Sequence, residues 1–151
     1  MINVKFQSVY LSKLAEESGK IDKFLSLITA LTSSGSVAAL AVWQEFPWIW
    51  ASVVFISQLI NIGRPFFPQI KNTRSYIEYS YDLDRIYLEY EKKWIDCENN
   101  SFEKADNVFK KMRNKEFETN EKYKMLFVPN NILLRNKSRK EVDGFLAIHY
   151  Q

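Results

Sequence analysis

Residues 24–63 read FLSLITALTSSGSVAALAVWQEFPWIWASVVFISQLINIG. They hold a single charged residue, Glu45, in a chain whose charged residues make up 26% of the total. The stretch divides at Glu45 into two runs, 24–44 and 46–63, each about 20 residues long. A helix of about 20 apolar residues spans a hydrocarbon core about 30 Å thick. The sequence therefore predicts a transmembrane helical hairpin whose tight turn is Trp43-Gln44-Glu45-Phe46-Pro47. Pro47 suits the first turn of the second helix, where its missing N–H has no partner to lose.

The first run is only moderately apolar, with Thr29, Thr32, Ser33, Ser34, Gly35 and Ser36 at its centre. A hairpin enclosed in a water-soluble helical bundle could read the same way. Three features favour lipid. Lys5, Lys13, Lys20 and Lys23 precede the hairpin and Arg64, Lys71 and Arg74 follow it, while the turn has no Lys or Arg. That distribution predicts both chain ends on the cytoplasmic side of the membrane. Trp43, Trp48 and Trp50 cluster at the turn and Phe66 and Phe67 at the exit, as interfacial aromatic belts do. Ser26, Ala30, Ser34 and Ala38 recur every four residues, with Gly35 beside them, a stripe that lets helices approach closely.

The second run carries Ser57, Gln58 and Asn61. Polar groups at membrane depth must face protein or water. They fit helix-to-helix hydrogen bonds or the wet lining of an oligomeric pore. Arg64-Pro65-Phe66-Phe67-Pro68 then marks the boundary of the hairpin, because each proline disfavours helix at the residue before it.

Outside the hairpin the chain reads as helical. Residues 1–19 predict a short amphipathic helix ended by Gly19, lying on the membrane surface or packed on the rest of the chain. The hairpin region is placed at residues 20–68 and a cytoplasmic helical region at 69–151. From Gln69 to Glu98 one long helix is expected. Its apolar face is Tyr76, Tyr79, Leu83, Tyr87, Tyr90 and Trp94, a candidate partner surface. After a turn at Asn99-Asn100-Ser101, a second helix carries Phe102, Ala105, Phe109 and Met112 on one side. Met125–Leu134 reads as a turn with strand-like flanks. Ser138-Arg139-Lys140-Glu141 matches a capping box that would open a final helix. The fold expected is thus all-α with a small mixed C-terminal segment.

No catalytic set assembles, so no enzyme is expected. His149 stands alone, and with the single Cys97 it cannot supply a zinc site. The four glycines are isolated, which leaves no phosphate loop. No cofactor or metal is expected. One cysteine fits a reducing compartment. The net charge of +3 is no strong signal for nucleic acid. No secretory signal is read, so the hairpin is expected to act as an uncleaved anchor.

The uncharged hairpin, the Gln44-Glu45-Phe46-Pro47-Trp48 turn, the Ser57-Gln58-Leu59-Ile60-Asn61 exit with Arg64-Pro65, and the long aromatic helix form a recognisable layout. Over residues 20–98 it resembles the small two-transmembrane effectors of bacterial conflict and anti-phage systems, the SLATT type (SMODS- and SLOG-associating two-transmembrane domains). The resemblance implies a latent pore-former in the inner membrane. Its subunits would assemble and breach the bilayer when a partner system senses infection. The partners implied are the lipid bilayer, further copies of the chain, and a sensor protein or nucleotide signal from a neighbouring gene. The alternative is a non-lytic accessory protein, anchored by the hairpin and recruiting a partner through its long helix.

Overall fold

The structure is a computed structural model that describes the backbone of residues 1–42, 47–98 and 102–149. Side chains are described within these ranges except at 33–42, 47, 50, 65, 96–98 and 102–104. The described residues form α1 (Ile2–Val42), α2 (Pro47–Gly63), a 3-10 turn (Arg64–Phe66), α3 (Pro68–Lys71), α4 (Thr73–Glu98), α5 (Phe102–Lys122) and α6 (Ile132–His149). No strand occurs among them, and the chain is all-α. The expected turns at 43–46 and 99–101 lie outside the described residues. Pro47 does open α2, and Pro68 opens α3.

Two compact units result, one of Met1–Ala15 with Asn72–Gln151 and one of Glu16–Lys71. In the first, the N-terminal part of α1 packs with α4, α5 and α6. Its core is Val4, Leu11 and Leu14 from α1, Tyr76, Leu83, Ile86 and Tyr87 from α4, Met112 from α5 and Leu134 from α6. Of the two placements open for the first residues, packing on the helical region is the one observed. Ser8 and Ser80 let α1 and α4 come close. Ser8 Oγ donates to Ser80 O at 3.0 Å and Ser80 Oγ donates to Ser8 O at 2.9 Å. Both hydroxyls are buried and satisfied, as buried polar groups must be. Lys5 crosses the same seam to Asp84 at 2.8 Å, its ammonium 4.8 Å from the Tyr87 ring centre and 5.0 Å from that of Phe145.

Three expectations are corrected. Gly19 does not end a helix, because α1 runs through it with no glycine at positive φ. Lys20 pairs with Glu16 at 2.8 Å and Glu17 at 3.4 Å across that position, and such pairs support helix. The segment before the last helix has no strand-like flanks. Its carbonyls are taken by tyrosines instead: Tyr76 Oη donates to Phe127 O at 2.6 Å, and Tyr10 Oη donates to Pro129 O. The last helix begins at Ile132, not at Ser138. Asn131 Oδ1 accepts from the amides of Leu133 (3.0 Å) and Leu134 (3.2 Å), an N-cap seven residues before Ser138. Leu134, Ser138 and Val142 then follow four apart as the buried stripe of α6.

α4 and α5 are tied along their exposed edge by Lys122–Asp82 at 2.8 Å and by Lys115–Glu89. The hydrogen bond from Lys122, joined by that from Tyr123, holds the Asp82 carboxyl below its ordinary value of 3.8. Lys115 holds Glu89 below 4.5 in the same way. Depressed carboxyl values contribute stability that is present above the unfolded values and lost as pH falls through the folded ones. The melting temperature of the wild-type chain should therefore fall between about pH 5 and about pH 3, and that of D82N/E89Q should fall less. Circular dichroism melts at each pH check this. In the core, Leu83→Ala removes a fully buried side chain and should lower stability by about 2–5 kcal/mol, whereas Leu83→Met should cost less than about 1.5 kcal/mol.

Candidate functional site

The unit of Glu16–Lys71 inverts the usual helix pattern. Its α1 and α2 are antiparallel, since residue 22 meets 64 and residue 29 meets 61. Large apolar side chains point outward: Phe24, Leu27 and Leu31 on α1, and Trp48, Ile49, Val53, Phe55, Ile56, Leu59 and Ile62 on α2. At about 100° per residue, those on α2 cover roughly half of its circumference. Polar and small residues occupy the seam. Ser57 is 4% exposed, and Thr29 Oγ1 lies 3.3 Å from Asn61 Oδ1.

Five of the described hydroxyls of this unit are closed within their own helices. Ser26 donates to Asp22 O (2.7 Å), Thr29 to Leu25 O (2.9 Å), Thr32 to Ile28 O (2.9 Å), Ser52 to Trp48 O (2.9 Å) and Ser57 to Val53 O (2.9 Å). Bonding back to the carbonyl four residues earlier removes a donor from the surface without help from water. Gln58 differs. Its side chain is exposed and has no hydrogen-bond partner among the described residues.

A charged clasp closes one end. Arg64 Nε donates to Asp22 Oδ1 at 2.9 Å, and its Nη2 donates to Asp22 Oδ1 at 2.5 Å and to Ser26 Oγ at 2.7 Å. On α1 the change from charged to apolar falls between Lys23 and Phe24, and on α2 between Gly63 and Arg64. The clasp therefore sets the two changes level with each other.

The residues singled out in the sequence are distributed as follows. Ser26 belongs to the clasp, and Ala30 is exposed on α1. Ser34, Gly35 and Ala38 lie in α1, with side chains outside the described ones. Ser57 and Asn61 fall in the seam and Gln58 outside it, so the three do not share a face. The aromatic face of α4 is not an open partner surface. Tyr76, Leu83 and Tyr87 are core residues of the chain itself, with Tyr79 and Tyr90 packed against them. Tyr79 Oη donates to Asn120 Oδ1 at 2.8 Å, and its ring stacks on Tyr123 with centres 4.5 Å apart. Burial raises its hydroxyl above the usual tyrosine range. Only Trp94 of that face is well exposed, at 69%, beside a groove of about 280 Å³ lined by Tyr90, Ala105, Val108, Phe109 and Met112.

Two features were missed in the sequence. The clasp joins residues 42 positions apart, and its signal was the opposite charge at the two ends of the neutral stretch. The other is an exposed apolar patch of Met125, Phe127, Ile132 and Leu133, written in the sequence as apolar residues flanking Pro129-Asn130-Asn131.

Among the described residues no helix is long and apolar enough to cross a membrane. Among them, too, no group of three or more His, Cys, Asp or Glu side chains could hold a metal ion. The chain matches no protein-family model, no curated protein and no solved structure.

The clasp is about two-thirds withdrawn from solvent on each side, with side-chain exposures of 31% for Arg64 and 38% for Asp22. Arg64→Gln should therefore lower the stability of the hairpin unit by about 1 kcal/mol after allowance for solvent screening. The exchanged pair D22R/R64D should recover most of that loss in thermal melts of the full chain, whereas D22R alone should not.

Proposed function

We propose that this chain is a membrane effector whose hairpin, residues 24–63, sits in the bacterial inner membrane, self-associates there and permeabilises it. The observation that carries the proposal is the inverted hairpin. Ten large apolar side chains on α1 and α2 face outward. Fully withdrawing such a side chain from water is worth about 1.5–3 kcal/mol, and these ten are 37–85% exposed, so leaving them in water forgoes on the order of 10 kcal/mol. That is comparable with the whole stability of an ordinary domain, about 5–15 kcal/mol. Lipid supplies the cover that the chain does not. Closed hydroxyls and a level charged boundary support the same placement.

Length is compatible with it. α2 has 17 residues, and at about 1.5 Å each it reaches about 26 Å, the short end of what spans a bilayer. On α1 the uncharged sequence runs on from Phe24 through residues 33–42.

Self-association is supported by Gln58 and Ala30. A primary amide facing lipid gains from a partner amide on another subunit, and a small residue lets that subunit approach. Assembly would bring Gln58 side chains together as the polar wall of a pore. What supports the defence setting is the resemblance of residues 20–98 to the two-transmembrane anti-phage effectors. A neighbouring sensor or nucleotide signal would then release assembly.

Ala30→Leu and Gln58→Leu should each leave the chain in carbonate-washed membranes yet abolish dye entry and loss of membrane potential on induction. Unchanged permeabilisation in both variants contradicts assembly through this face. An intact potential at high expression of the wild-type chain, with its neighbouring genes present, points instead to the non-lytic anchor. The exposed Met125, Phe127, Ile132 and Leu133 patch is the surface that favours this second reading.

A further inference from the structure

We infer that the charged end of the hairpin unit is a binding rim for anionic phospholipid headgroups, built from Lys23 and Lys71 with Phe24, Phe66 and Phe67. The inference rests on the membrane placement proposed above and names the lipid class that this end selects.

The argument is one of charge left over after pairing. Five charged residues besides Lys23 and Lys71 lie in this unit outside the 43–46 segment: Glu16, Glu17, Lys20, Asp22 and Arg64. Lys20 is taken by Glu16 and Glu17, and Arg64 by Asp22. Every carboxylate at this end therefore has a cation already. Lys23 and Lys71 are both exposed, and neither has a carboxylate partner among the described residues. Two ammonium groups are thus left without a carboxylate, Lys23 next to the clasp residue Asp22 and Lys71 at the end of the short helix that follows the 3-10 turn.

The aromatic residues point to the same partner. Phe24 is 63% exposed, Phe66 81% and Phe67 56%. Phe24 follows Lys23 directly, and Lys71 N donates to Phe67 O at 3.2 Å, which holds Lys71 one turn from that ring. Exposed rings next to unpaired cations match the boundary of a bilayer, where acyl chains end and phosphates begin. A free phosphate would engage the lysines but offer nothing to the rings. A phospholipid with net negative charge engages both. Zwitterionic lipid carries its own ammonium, which competes for the phosphate and removes the net attraction. Each lysine near an anionic surface is worth about fivefold in affinity, so the pair is worth about 25-fold.

The test uses the full chain in dodecyl maltoside micelles, titrated with dioleoyl phosphatidylglycerol or dioleoyl phosphatidylcholine. Lipid adducts are counted by native mass spectrometry. Phosphatidylglycerol should bind about 25-fold more tightly than phosphatidylcholine. K23Q/K71Q should bring the two lipids close to equality, and K23R/K71R should keep the preference. Equal binding of both lipids by the wild-type chain overturns the inference, as does a preference that survives in K23Q/K71Q; both results leave the membrane placement standing. A chain that takes neither lipid and is missing from carbonate-washed membranes overturns the placement and the rim together.

Discussion

Two helices packed side by side can hide only the strips they turn toward each other. That geometric limit governs the unit of residues 16–71, because this chain places its small and polar groups on those strips. Ser26, Thr29, Ser57 and Asn61 fill the seam, while Phe24, Leu27, Phe55, Leu59 and Ile62 look outward. A helix pair built for water has the opposite arrangement. The unit of α4, α5, α6 and the start of α1 is built that way, with Tyr76, Leu83 and Tyr87 inside and the ion pairs of Asp82 and Glu89 at its edge. One chain thus carries two opposite solutions to burying apolar surface, and the difference is what ties its structure to a proposed role in lipid.

Polar groups decide how such a hairpin behaves once placed. Hydroxyls bonded within their own helix cost little in hydrocarbon and contribute little to association. An exposed amide such as Gln58 is different, since it is satisfied only by a partner from outside the chain or by water. The clasp of Arg64, Asp22 and Ser26 keeps α1 and α2 in register, so Gln58 and Ala30 are presented at fixed heights. A clasped pair presenting an exposed amide is suited to assembling through it, and assembly is the step that would separate a silent anchor from a permeabilising effector.

Much of the helical layout was legible in the sequence because it is written locally. The gap in charge fixes the hairpin, Pro47 fixes the start of α2, and the Arg64-Pro65 and Phe67-Pro68 steps fix its end. The three-and-four spacing of Tyr76, Tyr79, Leu83 and Tyr87 gives α4 and its buried face. What escaped depends on partners far away in the chain. Tyr10 reaches Pro129 and Asn131 across about 120 positions, and Tyr76 reaches Phe127 across 51. Those bonds turn apolar residues 125–131 into a loop rather than a strand pair. Gly19 escaped for a related reason: its propensity to end a helix is overridden by ion pairs on either side. Within the candidate site, Ser57, Gln58 and Asn61 looked alike in sequence. Only the structure separates Ser57, buried and bonded to Val53 O, and Asn61, set against Thr29, from Gln58 outside the seam.

The claim on which the account stands is that the outward face of α2 contacts hydrocarbon. Spin labels at residues 55 and 59, and at residue 23 for comparison, in a Cys97→Ser chain reconstituted in phosphatidylethanolamine and phosphatidylglycerol vesicles, test it directly. Power saturation reports collisions with oxygen, which concentrates in lipid, and with a water-soluble nickel chelate. Labels at 55 and 59 should meet oxygen and be shielded from nickel, and the label at 23 should meet nickel. Nickel access at 55 and 59, or shielding from both reagents by surrounding protein, contradicts the account.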